Sequence, residues 1–334
     1  MGEVVRAALF RGELGPSVAE VAQEIASEEE AARWRLEVDD GAVEAMEGGF
    51  RHANDLISAE EAGAWLGARG LTRDEYHDYF VRRYWRETLR EKIVPDHVDP
   101  ARVVPELMGL LHVEVLMSGA LGPMATGLGR RLLSRAAAEA APDERMVGAE
   151  RASFLERAGL KPGGVAGWLK AIDRGEDWLG GMLAMEAAYR KRCAAVLTAE
   201  RLAQALAAAR LPLTRLELER VEFDSADAAR QAHLRVRGDG LSLEEVAREA
   251  RLPVARLEVL AEDLPEEQRQ KLLGAAVGEV PEPAPSGGVF HLCRVVLRAE
   301  PTLADAPVRG RIERRILDAH FSDAVGGDIR WFIR

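Results

Sequence analysis

Asp96-His97-Val98-Asp99 carries the residue types of a metal site, two carboxylates and an imidazole within four positions. It lies between Pro95 and Pro100, where no helical or strand frame would aim those side chains at one point. No partner ligand stands out elsewhere, so the segment reads as a solvated loop and the expected metal complement is none. His77-Asp78 falls in a helix-forming stretch and reads as a surface pair. Cys193 and Cys293 are far apart and form no paired-cysteine motif. The first sits in a helical pattern and the second in a strand pattern, which makes both small core residues. Neither a glycine-rich phosphate loop nor a Gly-x-Ser-x-Gly elbow is present, and no cofactor is expected. Glu28-Glu29-Glu30 and Asp39-Asp40 read as solvated faces.

Composition narrows the classes further. The formal charge of −11 argues against nucleic acid as a partner, because phosphate binding needs a basic face. The first residues show no charged leader followed by an apolar run, and no stretch approaches the ~20 apolar residues that cross a bilayer. The expectation is a cytoplasmic protein with no membrane partner.

The elements that would position any site are mostly helices. Ser17-Val18-Ala19-Glu20, Ser58-Ala59-Glu60-Glu61 and Thr72-Arg73-Asp74-Glu75 each fit a capping box, in which hydroxyl and carboxylate satisfy amides at a helix start. Leu107, Leu111 and Val115, with Val104 before them, mark one buried helix face. Gly119 is placed to end that helix. Further helices are expected from Leu128, over Glu150 to Ala158, and from Leu179 to Val196. Gly180-Gly181 and Gly326-Gly327 read as breaks. Ala64-Trp65-Leu66 and Gly167-Trp168-Leu169 echo one another, each followed by a helix with a Tyr/Arg pair. Either the helical hairpin is duplicated, with the two Trp in equivalent packing positions, or the likeness is coincidence.

After Pro212 the period changes. Leu216 to Phe223 alternates apolar and charged residues, which predicts a strand. A helix over Ala226 to Val236 follows, then a capping box at Ser242-Leu243-Glu244-Glu245. A strand is expected over Ala255 to Leu260 and a helix from Pro265 to Val277. Pro281 to Gly288 reads as a turn, Val289 to Leu297 as a strand and Val308 to Phe321 as a last helix. The apolar tail Ile329 to Ile333 could pair as an edge strand with Val4 to Phe10.

This order of strand, helix, helix, strand, helix and strand resembles the parvulin fold of prolyl isomerases. Three fragments carry the likeness: Leu243 to Ala250, Leu272 to Val280 with its Gly278-Glu279-Val280 turn, and Gly288-Val289-Phe290-His291-Leu292. Val38 to Arg51 and Trp65 to Thr72 are similar to the helical segments of SurA-type chaperones. More narrowly, the arrangement is similar to parvulin-related proteins of peptide maturation systems. The resemblance implies an α+β, mostly α protein, with a helical chaperone-like body and a C-terminal parvulin-like domain. The expected segments are 1–92, a SurA-like helical domain; 93–212, a middle helical region; 213–300, the parvulin-like domain; and 301–334, a helix and tail packing back on the body.

The departures from the family matter as much. Active parvulins carry a His in the first strand; here the stretch is Arg220-Val221-Glu222-Phe223. The family also has an acidic or Cys residue and a glycine-rich loop; between Ala250 and Pro265 there is neither a Gly-Gly segment nor a Cys. His291 alone matches a family active-site position. Two readings of it stand: the catalytic histidine of a weak isomerase, or an orienting core histidine. The degenerate frame implies a peptide-binding chaperone-like protein that assists folding or maturation of an unfolded or precursor peptide. A peptide-modifying enzyme is a further implied partner, and a weakly active peptidyl-prolyl isomerase is the alternative. Glu222, Phe223 and Phe290 are the candidate peptide contacts of the sheet. Trp65 and Trp168 are the candidates among six Trp, each weighed against a role as a core anchor.

Overall fold

The computed structural model describes residues 2–92, 105–137 and 141–328. Asp96 to Asp99 and the tail from Ile329 therefore lie outside the described residues. By internal contacts the chain forms two compact units, residues 1–195 with 321–334 and residues 196–320. The protein is α+β and mostly helical, with one four-stranded sheet among the described residues.

The first unit holds α1 (Gly2–Phe10), α2 (Gly15–Arg33), α3 (Asp40–Ala53), α4 (Ala59–Arg69), α5 (Arg73–Thr88), α6 (Pro105–Met117), α7 (Leu121–Ala136), α8 (Glu144–Arg157), α9 (Val165–Ala171) and α10 (Glu176–Val196). α6 is its central helix. Leu107, Leu111 and Val115 enter one apolar cluster with Phe10, Leu14, Phe154, Trp168 and Leu179. Val113, Leu116 and Met117 enter a second with Val43, Leu66, Tyr79 and Phe80. The 3.6-residue period reveals the first stripe, and the second is why α6 is apolar nearly all round. Because Phe10 stacks on Phe154 at 5.0 Å, α1 and α8 share a core, and residue 92 does not coincide with a unit boundary.

Helix starts follow their caps. Ser58 and Thr72 each accept from the amide three residues on, and Glu61 and Glu75 each return to the cap amide at 2.8 Å. The box expected at Ser17 is not made: Pro16, with φ already helical, starts α2 at Gly15 and leaves Ser17 inside it. Gly119 adopts φ +75° beyond α6, as its position predicts. Gly180-Gly181 and Gly326-Gly327 lie inside helices rather than breaking them. Val4 to Phe10 belongs to α1, so it cannot serve as a strand partner for the tail.

The second unit comprises α11 (Ala199–Ala208), β1 (Arg215–Phe223), α12 (Ala226–Gly238), α13 (Leu243–Ala250), β2 (Ala255–Leu260), α14 (Glu266–Gly274), β3 (Ala284–Ser286), β4 (Val289–Ala299) and the start of α15 (Ala306–Asp328). The sheet is antiparallel with strand order β2-β1-β4-β3. β3 lies inside the segment expected to be a turn. Its three residues pair with β4 through the tight Gly287-Gly288 reversal, both glycines having positive φ. Val221, Phe223 and Leu292 pack under α12 and α13. Leu216, Leu218, Cys293 and Val295 pack on the opposite face with Leu272 of α14. Val308 and Ile312 of α15 pack with Leu202 of α11 and Leu213.

Candidate functional site

β1 and β4 are central and adjacent, so the register decides which predicted residues meet. Glu222 pairs with His291, Phe223 with Phe290 and Arg220 with Cys293. Successive strand residues point to opposite faces. The four sheet candidates therefore divide: Glu222 and His291 share the face with Cys293, while Phe223 and Phe290 look the other way. Phe223 and Phe290 accordingly do not join His291 in one pocket.

His291 is buried, with 8 % of its surface exposed. Its Nε2 lies 3.6 Å from Glu222 Oε1, which also accepts from Arg220 Nη2 at 2.6 Å. Among the described residues the buried Nδ1 has no hydrogen-bond partner. Burial is the main cause that lowers the imidazole pKa; Arg220 adds to it, and Glu222 opposes. The ring is neutral at pH 7. Two residues along the same face, Cys293 Sγ accepts from Gln268 Nε2 of α14 at 3.4 Å, and burial pushes its thiol up to about 11. A neutral imidazole, a protonated thiol and one exposed carboxylate supply a single spare hydrogen-bonding nitrogen. They do not supply an activated nucleophile.

The other face carries two concave surfaces. A cleft of about 620 Å³ has Phe223, Ala232, Val246 and Leu252 on its apolar side and the Arg235–Glu249 ion pair at its rim. A second, of about 410 Å³, is lined by Phe290, His233, Leu234, Pro283 and Pro285. Phe223 and Phe290 thus serve two different clefts.

The two Trp candidates are also unlike. Trp168 is 4 % exposed, 5.0 Å from the Phe154 ring and next to Trp178. It is a core side chain and lines no groove. Trp65 is half-buried, edge-on to Phe50 at 5.4 Å, with the Arg69 guanidinium 3.8 Å over its ring. The two do not occupy equivalent packing positions, although each sits on a short helix ahead of a long one. Among the described residues, the Trp that faces solvent is Trp34, 46 % exposed, with Leu36 at 41 % close by after the end of α2. Its position just past a helix end, between Arg33 and Arg35, was the available signal. His77 pairs with Glu47 at 2.9 Å rather than with Asp78.

No protein-family model matches the chain, and no curated protein matches it. Among solved structures it is similar to the peptidylprolyl isomerase PrsA of Bacillus cereus, at 12% identity over 67% of this chain and 89% of that one, with a TM-score of 0.40. It is similar to the foldase PrsA of Streptococcus pneumoniae at 10% identity over 67% and 90%, with a TM-score of 0.30. A SurA-like chaperone of Campylobacter jejuni matches at 8% identity over 64% and 81%, with a TM-score of 0.20. All three are weak matches in overall superposition.

Proposed function

We propose that this protein holds extended polypeptide in a chaperone-like role, with residues 213–300 acting as a parvulin-like contact domain of degenerate catalytic equipment. The observation that carries the reading is the pairing of Glu222 with His291 at the centre of the sheet. A carboxylate opposite the buried histidine on the two central strands supports a domain of degenerate catalytic equipment. The exposed Trp34 and Leu36 support the same reading, since apolar side chains left in solvent suit contact with an unfolded chain.

The client we propose is an unfolded or precursor peptide, including ribosomally made and modified peptides, met in the cytoplasm with a peptide-modifying enzyme as second partner. Anisotropy of a labelled, permanently unfolded protein tests the reading. Saturable binding by the folded chain is expected, and no binding would refute it. A second reading, weak prolyl isomerisation, draws on one observation: His291 stands at the family's active-site position with its buried Nδ1 left without a partner among the described residues. If that reading is right, X-Pro peptides isomerise faster with the protein and the gain disappears in His291→Ala.

A further inference from the structure

The sheet ends in two unlike edges. β3 has three residues, and its Pro285 lacks an amide hydrogen, so that edge offers no continuous ladder. β2 has six residues and, among the described residues, pairs on one side only, with β1. The Ala261 amide donates to the Thr214 carbonyl at 2.9 Å, in register with the β1–β2 pairing. That bond sets the phase, because bonded and outward-facing residues alternate in an antiparallel pair. Ala255, Leu257 and Val259 bond to β1; Arg256 and Glu258 turn their amides and carbonyls outward.

Edges of this kind are commonly blunted by charged side chains. Here those side chains are drawn back over the sheet: Arg256 to Glu219 and Glu258 to Arg215, each at 3.2 Å. Among the described residues no backbone group bonds to the outward amides and carbonyls. We propose that the outer edge of β2 takes up an extended segment as a fifth strand, and that the segment alternates apolar with basic residues. On one face its side chains would meet half-buried Leu257 and Val259, which continue the core of Leu216 and Leu218. On the other the nearest charges are those of β2 and β1, where Glu217, Glu219 and Glu258 outnumber Arg215 and Arg256. Backbone bonds supply the affinity and the two faces the preference. The proposal rests on the polypeptide-holding reading and specifies where and how a client is held.

A short dye-labelled peptide of alternating Val and Lys, titrated with the full chain and followed by anisotropy, tests it. Two copies are N-methylated on alternate amides, one in each phase. One copy is expected to bind like the parent and the other roughly tenfold or more weakly, since only one phase faces the edge. Equal binding of both copies overturns the proposal, and equal binding of a Val/Glu peptide overturns its basic preference. Glu258→Pro removes an outward amide while sparing the bonds to β1, and is expected to weaken binding roughly tenfold with the circular dichroism unchanged. Should that variant unfold, the methylated peptides decide alone. A dimer of this chain that Glu258→Pro dissociates would assign the edge to a second copy, against the proposal. Capture of an unfolded protein without capture of the Val/Lys peptide would sink this inference alone; loss of both would sink the reading beneath it.

Discussion

Glu24 on α2 and Glu114 on α6 show how much single residues in this chain respond to burial. Glu24 is buried, and desolvation, with help from Glu114, pushes its carboxyl up to about 7 against the pull of Arg86 at 3.1 Å. Glu114 is raised as well, again chiefly by burial. A folded pKa above the unfolded value of 4.5 means the folded state holds the extra proton between those limits. Stability from this site is therefore full below about 4.5 and is lost as pH rises through about 7. Urea unfolding of the full chain should show a higher midpoint near pH 5.5 than near pH 8. Glu24→Gln, which stays neutral, should flatten that difference; an unchanged slope would contradict the assignment. The two Trp give a second residue-scale contrast. Trp168→Ala should cost about 3–5 kcal/mol, the range for an emptied aromatic core site. Trp34→Ala should stay within about 0.5 kcal/mol of the wild type while weakening client binding. A reversed order of these two effects would contradict the burial argument.

At the scale of elements, capping chemistry separates positions that look alike in the sequence. Ser242 accepts from Glu245 at 3.2 Å and opens α13, so Ser242→Ala should destabilise the protein by about 1 kcal/mol. Ser17, with the same pattern but inside α2, caps nothing, and Ser17→Ala should be close to neutral in the same denaturation series. This is also where sequence reading reached its limit. Period-2 alternation located β1 to within a residue, because apolar and charged side chains segregate on the two faces of a strand, and β2 occupies the residues expected after Pro253. β3 escaped, since Ala284-Pro285-Ser286 is too short for any period and carries a proline. The glycine pairs misled because a helix packed elsewhere along its length tolerates their propensity cost, about 1 kcal/mol each. The site was half readable. Glu222 and His291 were each singled out, but their meeting depends on the register between β1 and β4, which strand phase alone does not set, and expecting Phe223 and Phe290 beside them overlooked that neighbours on a strand point apart. Nothing in a sequence ranks six Trp by exposure, which is set by packing partners such as Phe154 distant in the chain.

For the whole molecule, the account joins a helical unit with exposed Trp34 and Leu36 to a sheet unit whose central histidine is neutral and faces a carboxylate. Holding a chain requires only accessible apolar surface and backbone groups, whereas isomerisation requires a preorganised pocket against a barrier of ~18–20 kcal/mol. On this account His291→Ala leaves X-Pro isomerisation at the uncatalysed rate, as does the wild type. The most direct measurement is light scattering of a chemically unfolded, aggregation-prone protein diluted into buffer with and without an equimolar amount of this one. Scattering is expected to be strongly suppressed, and equally so by His291→Ala. Scattering that rises unchanged in the presence of the folded protein would contradict it.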